Sequence, residues 1–291
     1  MKLLKAAPLR QAKPGANLFR HPSLLNFAPM RQKLGQHFLS DLRWRRKIAE
    51  KLQANPGDLW LEIGPGHGEM TENLVSSGPE RIIAVETDHS LAAALRDNPN
   101  RPSTLEIIEG DILEVDFSRL WGKETREIRV YGNLPYYITS PILHRLFDSA
   151  SLISSIDVVI QEEVAERIVA QPGSRDYGYL SVLCQFYSKP QIVLRVPPGA
   201  FRPPPRVNSA MVQMTLPGEN ASLGITNAEA FLSFVQTCFT QKRKTLRNNL
   251  RAYSDESLIR AFDSCGIAPN ARAEQLSIPL FASLCKTLNL N

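Results

Sequence analysis

Between Leu59 and Gln161 short apolar runs recur with helical stretches between them. The runs are LWLEIG from Leu59, RIIAVETD from Arg81, LEIIEGD from Leu105, IRVYGN from Ile128 and IDVVIQ from Ile156. The intervening GEMTENLVSSG and SLAAALRDN, and EEVAERIVAQ after the last run, have helical composition. Strands alternating with helices at this spacing dictate an α/β fold, with a parallel sheet covered on both faces. QIVLRVPP and SAMVQMTLP make a sixth and a seventh strand. They flank the Pro-rich GAFRPPPRVN with no helix between them, which predicts an antiparallel pair at the sheet edge.

The pattern ends at PGENASLGITN, whose turn-rich composition predicts a linker over 217–227. Beyond it AEAFLSFVQTCF, KRKTLRNNLRAY, DESLIRAFDSCG and PLFASLCKTLN read as helices, the third stopped by its glycine. The expected organisation is an α/β domain over 30–216 and a small all-helical domain over 228–291. Residues 1–29 hold lysines and arginines but no acid. They are expected to be a disordered basic tail or an unused upstream start, with Met30 as the working one.

The 291 residues carry a formal charge of +5, which permits a polyanionic partner without requiring one. No apolar run approaches the ~20 residues of a membrane span. The four cysteines are scattered, with no C-x-x-C, and the five histidines are dispersed. Reduced thiols in a cytoplasmic protein with no metal site is the expectation.

Where the first strand meets the first helix stands Glu62-Ile-Gly-Pro-Gly-His-Gly68. Glycines there, Gly64 and Gly66 above all, let a ligand approach the backbone, and the helix N-terminus offers free N–H groups. Alone the loop is as compatible with a tight turn. Two carboxylates strengthen it: Glu86 closes the second strand, placed to accept ribose hydroxyls, and Asp111 ends the third, placed to reach an adenine amino group. The nicotinamide fingerprint G-x-G-x-x-G is absent. The acidic Glu62 leading into the loop suits S-adenosylmethionine (SAM) better, and a Rossmann-like methyltransferase domain is the fold expected.

Asn133-Leu134-Pro135-Tyr136 closes the fourth strand and faces the same crevice. It contains no acid and no base, which suits methyl transfer to the exocyclic amine of a base, because the sulfonium donor is already activated. The Asn133 side-chain carbonyl and the Leu134 carbonyl would accept from that amine, with Pro135 aiming the latter. Tyr136 would stack on the base, Phe201 would cover its other face, and Tyr137 is assigned to packing. Arg202 and Arg206 on the proline loop are placed to reach phosphates. A buried strand followed by a proline turn is the plainer account of the tetrapeptide; the glycine loop and Glu86 upstream weigh against it.

These stretches together resemble the small-subunit ribosomal RNA adenine N6,N6-dimethyltransferases. KLGQHFLSD, EIGPGHGEMT, EGDIL, GNLPYYITSPIL, IQEEVAERI, YGYLSVLCQ, FRPPPRVNSAMV and FTQKRKTLRNNL carry the resemblance, in order, over nearly the whole chain. It implies dimethylation of two adjacent adenines near the 3′ end of 16S ribosomal RNA, by a monomer acting on an assembling 30S-type particle. It also implies cofactor contacts from His37, Leu39, Gly64, Glu86, Asp111 and Asn133. Lys242, Arg243, Lys244, Arg247 and Arg251 would form a basic helix tracking RNA phosphates. Glu163 and Arg167, four apart, are expected to pair on a helix surface. The competing readings are a DNA or glutamine amino-methyltransferase, which typically has a proline where Leu134 stands, and an assembly factor that has lost turnover. The intact Gly64, Glu86, Asn133 and Tyr136 argue against the second.

Overall fold

The computed structural model describes residues 36–122 and 126–289. The expectations for residues 1–29 therefore lie outside the described residues. In chain order, the first half contains β1 (Phe38–Leu39), α1 (Leu42–Leu52), β2 (Leu59–Ile63), α2 (Thr71–Ser76), β3 (Arg81–Glu86), α3 (His89–Arg96), β4 (Leu105–Glu109), α4 (Phe117–Trp121), β5 (Ile128–Asn133) and α5 (Thr139–Phe147). Then come β6 (Ile153–Gln161), α6 (Glu162–Val169), α7 (Tyr179–Tyr187), β7 (Lys189–Val196), β8 (Phe201–Arg202) and β9 (Ser209–Thr215). The C-terminal part holds α8 (Asn220–Leu223), α9 (Ala228–Cys238), α10 (Leu246–Asn249), α11 (Asp255–Cys265) and α12 (Ile278–Thr287).

Seven strands form one sheet in the order β4-β3-β2-β5-β6-β9-β7. The first five are parallel, and β9 and β7 pair antiparallel at the edge, as expected for a connection that holds no α-helix. The order reverses between β2 and β5, so a crevice opens there at the carboxyl ends of the strands. Side chains at the helix starts hold the crossovers. Asp41 accepts from the Arg43 N–H at 2.8 Å to begin α1, and Asp88 accepts from Ser90 and Leu91 to begin α3.

One face of the sheet packs Trp60, Ile82, Tyr131 and Met211 against Ile48, Leu52 and Leu74 of α1 and α2. The other face shares a single core with the C-terminal helices. Phe186 of α7 meets Phe231 of α9 at 5.0 Å between ring centroids, and Phe239 meets Phe281 of α12 at 5.7 Å. The segment expected as a linker holds the short α8 and is tightly seated. A methyl group on Gly218 would come within 2.3 Å of the Ser188 backbone nitrogen. The expected glycine stop is Gly266, at φ +67° beyond α11.

Three local expectations are corrected. KRKTLRNNLRAY is not a helix: Lys242, Arg243 and Lys244 lie on a turn, and only the four-residue α10 follows. Asn249 Nδ2 donates back to the Cys238 carbonyl at 2.6 Å, and Thr245 caps a fresh start at Leu246, so the chain reverses where the charge run suggested continuity. Glu163 and Arg167 do not pair. Arg195 of β7 instead reaches the neighbouring Glu162 at 2.5 Å and Glu166 at 3.7 Å. Tyr137 does not pack inside: it is 63% exposed.

A polar row crosses the buried sheet: Glu62, Tyr131, Asp157 and Gln213 are in register on β2, β5, β6 and β9. Gln213 donates to Asp157 at 2.9 Å, yet burial still pushes the Asp157 carboxyl up to about 6. Burial likewise pushes Glu62 up to about 7 and raises the Tyr131 hydroxyl.

Candidate active site

The glycine loop leaves β2 at the point where the strand order reverses. Gly64 at φ +66° and Gly66 at φ +62° hold a left-handed backbone that other residues adopt only with strain. A Cβ on Gly64 would meet nothing within 4 Å, so its backbone borders open space. A Cβ on Gly66 would stand 3.0 Å from the Phe38 ring. That ring, from β1, also lies over His67 with centroids 4.5 Å apart. Phe38 is a site residue that the sequence reading passed over, although it stands inside the GQHFL motif.

Glu86, at the end of β3, is 2% exposed and anchors the loop. Its Oε2 accepts from the Gly66 N–H at 3.0 Å and its Oε1 from the Asp88 N–H at 2.9 Å. Each oxygen keeps a further lone pair for a ligand hydroxyl. Asp111 follows β4, exposed, with Oδ1 accepting from the Leu113 N–H at 2.9 Å. Beside it Glu109 receives His89 Nδ1 at 2.8 Å and Arg96 at 3.5 Å, and the His89 bond, then Arg96, holds its carboxyl below the usual range.

At the end of β5 the Asn133 Nδ2 donates to the His37 backbone carbonyl at 2.8 Å. A carbonyl partner can be met only by the amide NH₂, so this bond fixes which way round the amide sits and leaves Oδ1 as a free acceptor. Among the described residues nothing donates to the neighbouring Leu134 carbonyl, whose own N–H is used by Val159 at 3.0 Å. Two unoccupied acceptors therefore sit on consecutive residues. Pro135 separates them from a turn in which its carbonyl receives Ile138 N and Thr139 Oγ1.

Tyr136 is half-buried, and its hydroxyl meets Ser209 Oγ at 2.8 Å, while its ring lies 5.6 Å from that of His37. Burial raises its pKa, so it stays neutral. Ser209 is a second residue the sequence reading missed: it begins β9 and pins the tyrosine from 73 positions away. His37 itself donates from Nδ1 to the Pro203 carbonyl at 2.7 Å. The N-terminal segment and the proline loop thus close over the crevice together, joined by the two-residue strands β1 and β8.

Two expected site residues turn their side chains into the core. Phe201 is 2% exposed and packs with Leu39, Trp60, Tyr131 and Met211, so it offers no open face for a base in this structure. Leu39 belongs to the same core, and its carbonyl accepts from Arg45 Nε at 2.7 Å. Pairing of Leu39 with Phe201 across the β1–β8 register turns both side chains into packing residues. Arg202 and Arg206 are exposed on the loop. Lys242 donates to the Arg175 carbonyl and Arg247 pairs with Asp255 at 2.9 Å, which engages two of the expected phosphate contacts within the chain. Lys244 and Arg243 are exposed.

The profile of the ribosomal RNA adenine dimethylase family matches residues 28–290. The chain belongs to that family. It is 44% identical over 258 residues to ribosomal RNA small subunit methyltransferase A of Acidobacterium capsulatum, which spans 88% of this chain and 90% of that one. The same protein of Koribacter versatilis is 41% identical over 268 residues, 88% and 93% of the two chains. Among solved structures, a dimethyladenosine transferase from Plasmodium falciparum superposes with a TM-score of 0.71 at 24% identity, covering 87% of this chain and 98% of that one. The 23S rRNA methyltransferase ErmE does so with a TM-score of 0.63 at 25% identity, covering 87% and 99%.

This adenine dimethylase is thus a SAM-dependent enzyme, and the crevice fits that cofactor. The backbone of Gly64 borders open space, and the buried Glu86 carboxylate retains acceptor capacity toward a ribose. Among the described residues no group of three or more His, Cys, Asp or Glu side chains could hold a metal ion. No described helix is long and apolar enough to cross a membrane. The described cysteines are free, three of them buried and Cys265 partly so.

Proposed function

We propose that the protein dimethylates the N6 amines of two adjacent adenines near the 3′ end of 16S ribosomal RNA, within an assembling 30S-type particle. The observation that carries this reading is the pair of free acceptors, Asn133 Oδ1 and the Leu134 carbonyl, at the crevice end of β5. The adenine amine is a weak nucleophile because its lone pair is delocalised into the ring. The two acceptors hold its two protons, favour a pyramidal nitrogen and stabilise the positive charge that develops there. The donor supplies an activated methyl group, so no side chain has to remove a proton before attack. After one transfer the methylated, positively charged nitrogen releases one proton to solvent and keeps a single one, and either acceptor suffices to orient it for the second.

In this reading Tyr136 provides the stacking face for the extruded base, with Ser209 fixing the ring plane. Gly64, Gly66, Glu86 and Asp111 would hold the cofactor, and the backbone around His37 and Leu39 would close over it. Arg202 and Arg206 would meet RNA phosphates, joined by Lys244 and Arg243 on the turn after α9. In this reading the enzyme acts as a monomer in the cytoplasm, where small subunits assemble.

The test is incubation with labelled SAM and small subunits from cells lacking the modification. Two methyl groups on each of two adenines are expected. Intact cofactor binding with no label on any assembling subunit would sink the proposal, and label on naked DNA instead would redirect it.

A further inference from the structure

Among the described residues four large apolar side chains stand exposed: Leu42, Tyr137, Val207 and Ile259. Single exposed hydrophobic residues are ordinary, but their placement here is not scattered. Tyr137 follows Tyr136, whose hydroxyl bonds Ser209, and Val207, 45% exposed, lies two residues before that serine. The residues joined by the Tyr136–Ser209 bond thus each have a largely exposed apolar side chain within two positions in the chain. Leu42, 62% exposed, follows Asp41, whose N–H donates to the Ala200 carbonyl beside β8. Three of the four thus adjoin, along the chain, residues whose bonds close the crevice, and the exposed Arg202 and Arg206 stand on the proline loop that carries Val207.

Tyr137 is the aromatic member of this set. It makes no hydrogen bond and no ring contact with any described residue. Its backbone is nevertheless held, because the Pro135–Ile138 turn is closed by the Ile138 N–H to the Pro135 carbonyl at 3.2 Å. A turn-held backbone carrying a largely exposed aromatic ring, with exposed arginines on the loop whose Pro203 bonds His37 beside Tyr136, is the composition of a stacking platform for single-stranded nucleic acid. The preceding residue, Tyr136, is the one proposed to stack on the target base, so a base next to the target in the strand is the one Tyr137 can meet.

Resting on the proposed adenine dimethylation, we infer that Tyr137 binds the nucleotide adjoining the target adenine, by stacking on its base. When one adenine occupies the crevice its neighbour is then parked on Tyr137, and the two exchange places between modification rounds. The aromatic face is what the role requires; the hydroxyl is not.

The inference is tested by steady-state kinetics with unmethylated small subunits, comparing wild type with Tyr137→Ala, Tyr137→Leu, Tyr137→Phe and, as an off-site control, Ile259→Ala. Tyr137→Ala and Tyr137→Leu are expected to raise KM about tenfold with kcat within about twofold of wild type. Tyr137→Phe and Ile259→Ala are expected to match wild type. In a companion measurement Tyr137→Trp is titrated with a short single-stranded RNA carrying two adjacent adenines, or the same strand with one base removed. Indole fluorescence should be quenched by the first and far less by the second. A wild-type KM for Tyr137→Ala, or equal quenching by both strands, would overturn the platform while leaving the methyltransfer reading intact. Absence of transfer by the wild type would instead fault that reading. Loss of kcat in Tyr137→Phe as well would mean that the hydroxyl acts, against the role inferred.

Discussion

The two ends of β5 are built from the same strand and are opposite in character. At its start Arg129 is saturated. Its guanidinium lies 4.4 Å from the Trp60 ring centroid, donates to Asp58 at 2.8 Å and to the Gln53 carbonyl at 3.0 Å, and also reaches the Leu52 carbonyl. Those carbonyls end α1, so one cation caps the helix and ties it to the sheet. At the other end Asn133 spends only its NH₂, Leu134 leaves a carbonyl open, and Tyr137 is bare. The saturated end holds the fold together; the end with capacity to spare is where the proposed function seats the substrate. The proposed site is thus marked by unfilled hydrogen-bonding capacity on a rigid strand, not by charge.

The sharpest way to break the comparison is Asn133→Ala. It should lower kcat by about a thousandfold, the scale of losing an oriented charge-stabilising partner, while leaving the thermal midpoint and RNA affinity near wild type. Collapse of RNA binding would move Asn133 to the structural side of the contrast. Glu62, which faces the middle of the strand at Tyr131, gives the next largest effect. Its folded pKa is near 7 against an ordinary 4.5, so the folded state holds a proton that the unfolded chain releases between these values. Its contribution is complete below about 4.5 and is lost as pH rises through about 7. Glu62→Gln removes that penalty and should therefore gain on wild type between pH 5 and pH 8, by about 3 kcal/mol at most in urea unfolding. A pH-independent difference would contradict it. Arg129→Ala should have the smallest effect, costing about 2 kcal/mol of stability with kcat of the folded enzyme unchanged. Loss of activity without loss of stability would erase the distinction between the two ends.

Much of this was legible in the chain. The seven strands and the edge pair follow from periodicity, because a strand buried on both faces needs an unbroken apolar run and a parallel neighbour needs a crossover. Glu86 and Asn133 were legible because strand ends at a sheet reversal are where ligands bind. The β1–β8 pair was not, since two-residue strands about 160 positions apart carry no periodic signal. Nor was the fate of QKRKTLRNNL. Its charges looked helical, but Thr245 and Asn249 bond the backbone in ways that reward a turn. Phe201 shows the converse, an aromatic residue in a functional-looking loop that the core absorbed.

By itself, then, the sequence determined the sheet, the glycine loop at its reversal point and the identity of the amide proposed to meet the amine. These depend on local periodicity and on residue chemistry, both of which can be read without coordinates. Only the tertiary structure decided which way round the Asn133 amide sits, that Ser209 holds Tyr136, that Leu39 and Phe201 are buried and that Tyr137 is not. Each of those depends on a partner between tens and more than a hundred residues away, or on the lack of one. Closure over such distances comes from the packing of the whole chain, which no local window of sequence contains.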